Sequence, residues 1–165
     1  MRRLLREIDH DPRAVCAEVG RWLDAHPGLL TIAVFSALPG EVDLTETTAR
    51  HTDRRWVYPR IAGDELVFHV VVDPDADLAP GAMGILEPSP DLPQAGIAEI
   101  DAFLCPGLAF DARGGRLGRG RGFYDRMLAG ARPDVLKMGV CFPQQLVPDV
   151  FAQAHDIAMD GVLTA

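Results

Sequence analysis

The sequence predicts an α/β fold, a single-domain three-layer sandwich with a largely parallel central sheet, over residues 1–165. Three observations lead there. Short β-branched apolar runs recur along the chain, and segments of helical periodicity stand between several of them. The third is length, since 165 residues suffice for one core but not comfortably for two. Strands separated by helices are joined by crossovers, and a crossover leaves its two strands parallel.

Taken in order, Asp11-Pro12 carries a helix-start signature, a capping side chain followed by proline at the first helical position. Val15, Val19, Trp22 and Leu23 then repeat at helical spacing, and His26-Pro27-Gly28 ends the run. Residues 30–35 (LTIAVF) read as a buried strand, followed by a loop over 36–40 and a helix over 43–50. Residues 55–58 (RWVY) read as a strand stopped by Pro59, and 65–72 (ELVFHVVV) as another after a turn at Gly63-Asp64. The Pro-, Asp- and Gly-rich stretch 73–98 predicts an irregular surface path. Beyond it come a strand over 100–105, a helix over 123–129 and a last substantial strand over 136–142. In such sheets ligands bind beyond the carboxyl ends of the strands. The 100–105 strand runs straight into the glycine-rich loop 106–122, which places a site there.

Composition narrows the function classes. A hydrophobic content of 48% belongs to a globular rather than a disordered chain, and no apolar run approaches the roughly 20 residues of a membrane span. The opening MRRLLREIDHDP lacks the apolar stretch of a signal peptide. Cys16, Cys105 and Cys141 are scattered without disulfide or zinc spacing, so a reducing cytoplasm is expected. A net charge of −8 argues against nucleic acid as a partner, because phosphate backbones need a basic footprint. Against that background Arg113, Arg116, Arg119, Arg121 and Arg126 crowd into fourteen residues, and Arg2, Arg3 and Arg6 open the chain. Local positive charge on an acidic protein suits a small anionic ligand.

Residues 111–126 (DARGGRLGRGRGFYDR) combine three useful parts. Glycines 118, 120 and 122 allow positive φ and close approach of backbone N–H groups to a ligand. The interleaved arginines offer donor forks that match phosphate oxygens, and a helix starting near Phe123 adds its dipole. Asp125 then sets a carboxylate where Mg²⁺ can bridge to phosphate. The segment fits neither the Walker loop nor the G-x-G-x-x-G pattern. A solvated loop and an RNA-binding Arg-Gly tract are the competing readings. The tract is short and flanked by apolar strands, and the composition favours phosphate binding over both. Each residue also has a plain structural role by default. Phe35 and Tyr124 are core, Glu41 is a solvated loop carboxylate, and Asp125 is an acid in a first helical turn. His155 is structural or exposed, and His10, His26, His51 and His69 show no ligand spacing. Arg126 either pairs with Asp125 or caps the local helix.

Residues 105–111 (CPGLAFD) with 115–125 (GRLGRGRGFYD) resemble the signature of the 5-formyltetrahydrofolate cyclo-ligase family. Phe35-Ser36 with Glu41-Val42-Asp43, Tyr58-Pro59-Arg60 and Gly84-Ile85-Leu86-Glu87-Pro88 are similar to further blocks of that family. So are Gln145 and His155-Asp156 with Asp160, and all follow the family's order from about residue 30 onward. The resemblance implies an enzyme that uses ATP and Mg²⁺ to cyclise 5-formyltetrahydrofolate to 5,10-methenyltetrahydrofolate. ADP and phosphate are released, and a phosphorylated formyl intermediate lies on the path. Small-molecule substrates, no nucleic acid, no membrane and a monomer are expected.

The same resemblance implies the site. Arg2, Arg6, Arg116, Leu117, Gly118, Arg119, Gly120, Arg121, Gly122, Phe123 and Tyr124 would contact ATP. Phe35 and Glu41 would face the folate together with Arg119, Gly120, Arg121, Gly122 and Phe123, and Glu41 suits the N–H donors of a pterin. Arg119, Arg121 and Tyr124 take the catalytic places, the arginines steadying the transferring phosphoryl group. Asp125 and Asp156 would hold Mg²⁺. Two positions depart from the pattern: Arg2 replaces the commoner Lys, and Phe123 stands where many members carry Tyr. The alternative is a paralogue that binds folate or nucleotide without turnover.

Overall fold

The computed structural model describes residues 10–165, and Arg2 and Arg6 lie outside them. Helix α1 (Arg13–Ala25) forms where the sequence places it. Pro12 already has helical φ and ψ, its carbonyl accepts from the Cys16 N–H at 2.8 Å, and Asp11 Oδ1 accepts from the Arg13 N–H at 3.0 Å. Val15, Val19 and Leu23, four residues apart, form its buried face.

Strand β1 (Thr31–Ala33) is followed by α2 (Thr45–Arg50), β2 (Arg55–Ala62) and β3 (Glu65–Val70). Residues 73–98 are less irregular than expected. They contain α3 (Pro74–Asp77), the antiparallel pair β4 (Leu78–Pro80) and β5 (Leu86–Pro88), and β6 (Gln94–Ala95). Elements this short show no periodicity for a sequence reading to catch. The rest comprises β7 (Ala102–Cys105), β8 (Ala109–Phe110), β9 (Arg116–Leu117), α4 (Phe123–Ala129), β10 (Leu136–Val140) and β11 (Gly161–Leu163).

The central sheet has the order β11-β10-β7-β1-β2-β3-β6. It is parallel from β11 to β2, and β3 runs antiparallel to both its neighbours. Period-two alternation sends the strand side chains to opposite faces. Ile32, Trp56, Tyr58, Ala102 and Leu104 pack with the α1 face, whereas Ala33, Val57, Phe103 and Cys105 pack with Met127 and Leu128 of α4. Two apolar layers on one sheet give the sandwich, and each fully buried large apolar side chain contributes roughly 1.5–3 kcal/mol.

Pro59 does not stop its strand, contrary to expectation. It lies inside β2, opposite Phe68 of β3. The Val71 N–H donates to the Trp56 carbonyl, so residues 56, 58, 60 and 62 bond toward β3 while 57, 59 and 61 turn their amides to the other edge. There β1, paired only with residues 55–57, has already ended. Proline therefore removes a donor that no neighbouring strand needs.

Leu104 is 2% exposed between β1 and β10. Leu104→Ala is expected to lower stability by about 2–5 kcal/mol, through lost burial and a residual cavity, read as a lower urea midpoint at unchanged slope.

Candidate active site

Because β1, β7 and β10 are parallel, their carboxyl ends share one edge of the sheet. Phe35 follows β1 there, and Pro106-Gly107 follow β7. A cleft of about 420 Å³ opens at this edge, a volume within the range of small-molecule sites. One wall is apolar and comes largely from the β2–β3 hairpin and the β4–β5 connection, with Pro59, Ile61, Leu66, Met83 and Ile85. Phe35, Glu41, residues 116–125, Phe151 and Asp156 complete it.

Every site residue expected from the sequence within the described part of the chain lines this one cleft. The loop conformation accounts for part of that. Gly120 and Gly122 take φ of +89° and +68°, left-handed values that favour glycine, and Gly122 immediately precedes α4. Gly118 does not share this conformation. A Cβ there would sit 3.2 Å from Arg116 Nη1, so its contribution is room for that guanidinium. Arg126 is not a partner of Asp125. It donates to the Arg121 carbonyl at 2.8 Å and the Asp64 carbonyl at 3.1 Å, tying the loop to the β2–β3 turn.

Arg116 is the most enclosed of the loop arginines, with 5% of its side chain exposed. Its Nη1 donates to the Pro106 carbonyl at 3.2 Å, its Nη2 lies 3.6 Å from Asp125 Oδ2, and its guanidinium covers the Tyr124 ring. Its Nε is buried without a hydrogen-bond partner. Leaving such a donor unmade is costly, and an acceptor supplied by a ligand removes that cost. Arg119 donates from both Nε and Nη2 to Oε1 of Glu41, at 3.2 and 3.1 Å, across 78 positions of sequence. Glu41 Oε2 accepts from the Leu38 N–H at 3.0 Å. Burial pushes the Glu41 carboxyl above its ordinary range, while the Leu38 amide and Arg119 pull it back down. The Arg121 side chain is exposed at the cleft.

Asp125 Oδ1 accepts from the Ile157 N–H at 3.1 Å, which brings the first turn of α4 against the segment carrying Asp156. Asp156 Oδ2 accepts from the Gln153 N–H at 2.7 Å, and exposed His155 lies 3.4 Å from the other Asp156 oxygen. Among the described residues no group of three or more His, Cys, Asp or Glu gathers as a metal cage. The carboxylates of Asp125 and Asp156 border a cleft lined, among the described residues, by Arg116, Arg119 and Arg121. A polyphosphate drawn by those arginines is repelled by the carboxylates unless a divalent cation lies between them. Hard carboxylate oxygens, with phosphate and water completing the shell, fit Mg²⁺. A second cavity of about 480 Å³ adjoins the first and shares Arg116, Phe151 and Asp156 with it.

These features define an α/β protein whose ligand cleft, at the carboxyl edge of a parallel sheet, sets an arginine-rich loop against a buried carboxylate. The chain belongs to the 5-formyltetrahydrofolate cyclo-ligase family, whose sequence pattern matches residues 32–165. It is 32% identical over 142 residues to 5-formyltetrahydrofolate cyclo-ligase of Escherichia coli strain K12, covering 81% of this chain and 77% of that one. The same-named Mycolicibacterium smegmatis protein is 43% identical over 88 residues, 53% of this chain and only 45% of the relative. Among solved structures, Aquifex aeolicus 5,10-methenyltetrahydrofolate synthetase superposes with a TM-score of 0.82 at 30% identity. That match covers 98% of this chain and 84% of the other.

Several residues that build the site carried no role in the sequence reading. Glu87 is buried, accepts from the Ile61 N–H at 3.2 Å and lines the cleft. Buried Gln145 donates to the Gly107 carbonyl at 2.8 Å and accepts from the Phe142 N–H at 2.8 Å, joining the ends of β7 and β10. Asp111 accepts from the amides of Arg113, Gly115 and Val150 at 2.9, 3.0 and 3.0 Å. The Asp-x-x-Gly turn was a usable signal for Asp111. Its bond to Val150 is long-range and had none.

Those amides, Val150 foremost, hold the Asp111 carboxyl below the ordinary carboxylate range. A depressed folded value stabilises the protein fully above the unfolded value near ~4, and the effect is lost as pH falls through the folded one. Asp111→Asn presents an N–H₂ to backbone donors and is expected to cost about 1–3 kcal/mol at neutral pH. Urea titrations should show the gap between wild type and variant narrowing below about pH 4.

Proposed function

We propose that this chain catalyses ATP- and Mg²⁺-dependent cyclisation of 5-formyltetrahydrofolate to 5,10-methenyltetrahydrofolate, with release of ADP and phosphate. The observation that carries the reading is the gathering of Phe35, Glu41, residues 116–125 and Asp156 around one cleft. The adjoining second cavity gives room for two ligands around Arg116. Family membership supplies the substrate class.

The formyl oxygen attacks the γ-phosphorus: a P–O bond forms, the β,γ-bridging P–O bond breaks, and its electron pair leaves on ADP. N10 then attacks the formyl carbon and gives its proton to solvent. Phosphate departs with the C–O electron pair, leaving the methenyl bridge. The protein's work here is positioning and neutralisation of charge. Glu41 accepts from the N–H donors of the pterin, and the apolar hairpin wall takes the uncharged part of the folate. Arg116 meets phosphate oxygen through its unmade Nε donor, and Arg119 and Arg121 balance charge on the transferring group. Tyr124 supports the Arg116 guanidinium through its ring face. Mg²⁺ held by Asp125 and Asp156 would supply positive charge between those carboxylates and the phosphates. No covalent nucleophile is required, and burial holds the Cys105 thiol up at about 12, protonated at neutral pH.

The net charge of −8 and three free thiols support a cytoplasmic location without nucleic-acid or membrane partners.

Purified protein with Mg²⁺ and 5-formyltetrahydrofolate is expected to produce methenyltetrahydrofolate absorbance only when ATP is added. Absence of that signal would sink the proposal, and binding of both ligands without ADP formation would identify a non-catalytic paralogue. Asp125→Ala is expected to lower kcat/KM by at least ~10²-fold while leaving the circular dichroism spectrum unchanged. Full activity in the variant would refute the metal assignment.

A further inference from the structure

Among the described residues, Met83 and Phe151 are the two non-glycine residues with positive φ, at +62° and +57°. Both side chains are large and apolar, both are exposed, at 53% and 83%, and both line the cleft. A left-handed backbone strains a residue that carries a Cβ, and such strain concentrates at functional sites. Met83 belongs to the β4–β5 connection, which already forms part of the apolar wall. Phe151 has no such explanation.

Its backbone is held from two sides. The Val150 N–H donates to Asp111 Oδ2 at 3.0 Å and the Phe151 N–H to Asp149 Oδ1 at 2.6 Å, while Arg113 pairs with Asp149 at 2.6 Å. Glycine would make the same backbone bonds without strain. Phenylalanine adds both the strain and a ring too exposed to strengthen the core. An exposed apolar side chain is ordinary by itself, as Val72 shows at 88%, but Val72 neither has positive φ nor lines the cleft. Among the described residues, Arg116, Phe151 and Asp156 are those that border both cavities. Residues 152–155 beside the ring are exposed and small or polar, so no broad apolar patch for a protein partner surrounds it.

We propose that Phe151 is a ligand-binding residue, whose ring stacks on a planar aromatic ring of a ligand where the two cavities meet. A phenyl side chain offers no hydrogen bond, so what it recognises is a flat π face, in offset or edge-to-face contact. Its clamped backbone presents the ring in one place, so little freedom is lost on binding. The identity of that ligand rests on the function proposed above, under which two sources carry such a ring. One is the purine of ATP, whose phosphates meet Arg116, and the other is the ring system of the folate.

Calorimetry on wild type, Phe151→Leu and Phe151→Tyr tests this with three probes: a non-hydrolysable ATP analogue with Mg²⁺, 5-formyltetrahydrofolate, and inorganic tripolyphosphate with Mg²⁺. Leucine keeps apolar bulk and removes the ring. At least one ring-bearing ligand is expected to bind Phe151→Leu about tenfold more weakly, with Phe151→Tyr near wild type and tripolyphosphate unchanged throughout. Loss for the analogue assigns the purine, and loss for 5-formyltetrahydrofolate assigns the folate ring. Equal affinities in wild type and Phe151→Leu would overturn the proposal. So would a matching loss for tripolyphosphate, which has no ring, or a tyrosine variant as weak as the leucine one. Failure of wild type to bind either ring-bearing ligand would instead overturn the proposed function, and the stacking with it. Urea unfolding tests the strain with no ligand present: Phe151→Gly is expected to show a higher midpoint than Phe151→Ala at the same slope. No gain for glycine would mean an unstrained backbone and would overturn the inference.

Discussion

Asp111 has no role in the chemistry, yet its carboxylate gathers three backbone amides from two distant parts of the chain. Two of them close the turn between β8 and β9, and the third belongs to Val150. The turn delivers Arg116, the first arginine at the cleft. The 150-segment delivers Phe151 at one rim and leads to Asp156. One buried carboxylate therefore sets the distance between the glycine-arginine loop and the C-terminal segment. The Asp125 bond to the Ile157 amide closes the same connection from the other side. A loop this rich in glycine and charge has little apolar surface with which to hold its own shape. Hydrogen bonds to fixed carboxylates do that work instead.

The sheet supplies the rigid part. Two apolar layers hold β1 and β7 side by side, so the chain segments that leave their carboxyl ends diverge from a common edge. The β2–β3 hairpin continues past the point where β1 ends, and this overhang becomes the apolar wall of the cleft. Pro59 is tolerated there because, among the described residues, no strand pairs with that edge of the overhang. The feature that ended the strand in a sequence reading is thus part of what shapes the site.

Charge organises the remainder. Among the described residues, the carboxylates of Glu41, Glu87, Asp125 and Asp156 and the guanidinium groups of Arg116, Arg119 and Arg121 line a cleft of modest size. Glu87 is anchored by a backbone amide, and Asp125 faces Arg116 at 3.6 Å. Glu41 supplies acceptor oxygens on one side of the cleft, and the loop arginines supply donors on the other. The Glu41–Arg119 contact is the place where the two sets meet.

The sequence by itself determined the α/β class, the position of α1, the strands at 31–33, 65–70, 102–105 and 136–140 to within a residue or two, and the loop as one that borders a cleft. It could do so because periodicity, capping and glycine spacing are local, and the motif at 105–125 is contiguous. The short elements within 73–98, the passage of β2 through Pro59 and the anchoring roles of Asp111, Gln145 and Glu87 were decided only in three dimensions. Each depends on which backbone amide or strand edge lies opposite, and that partner is set by the packing of segments tens of residues apart. Glu41 shows the difference most plainly. Its local sequence describes a solvated loop carboxylate, and only the approach of Arg119 from 78 residues away makes it a buried, paired one.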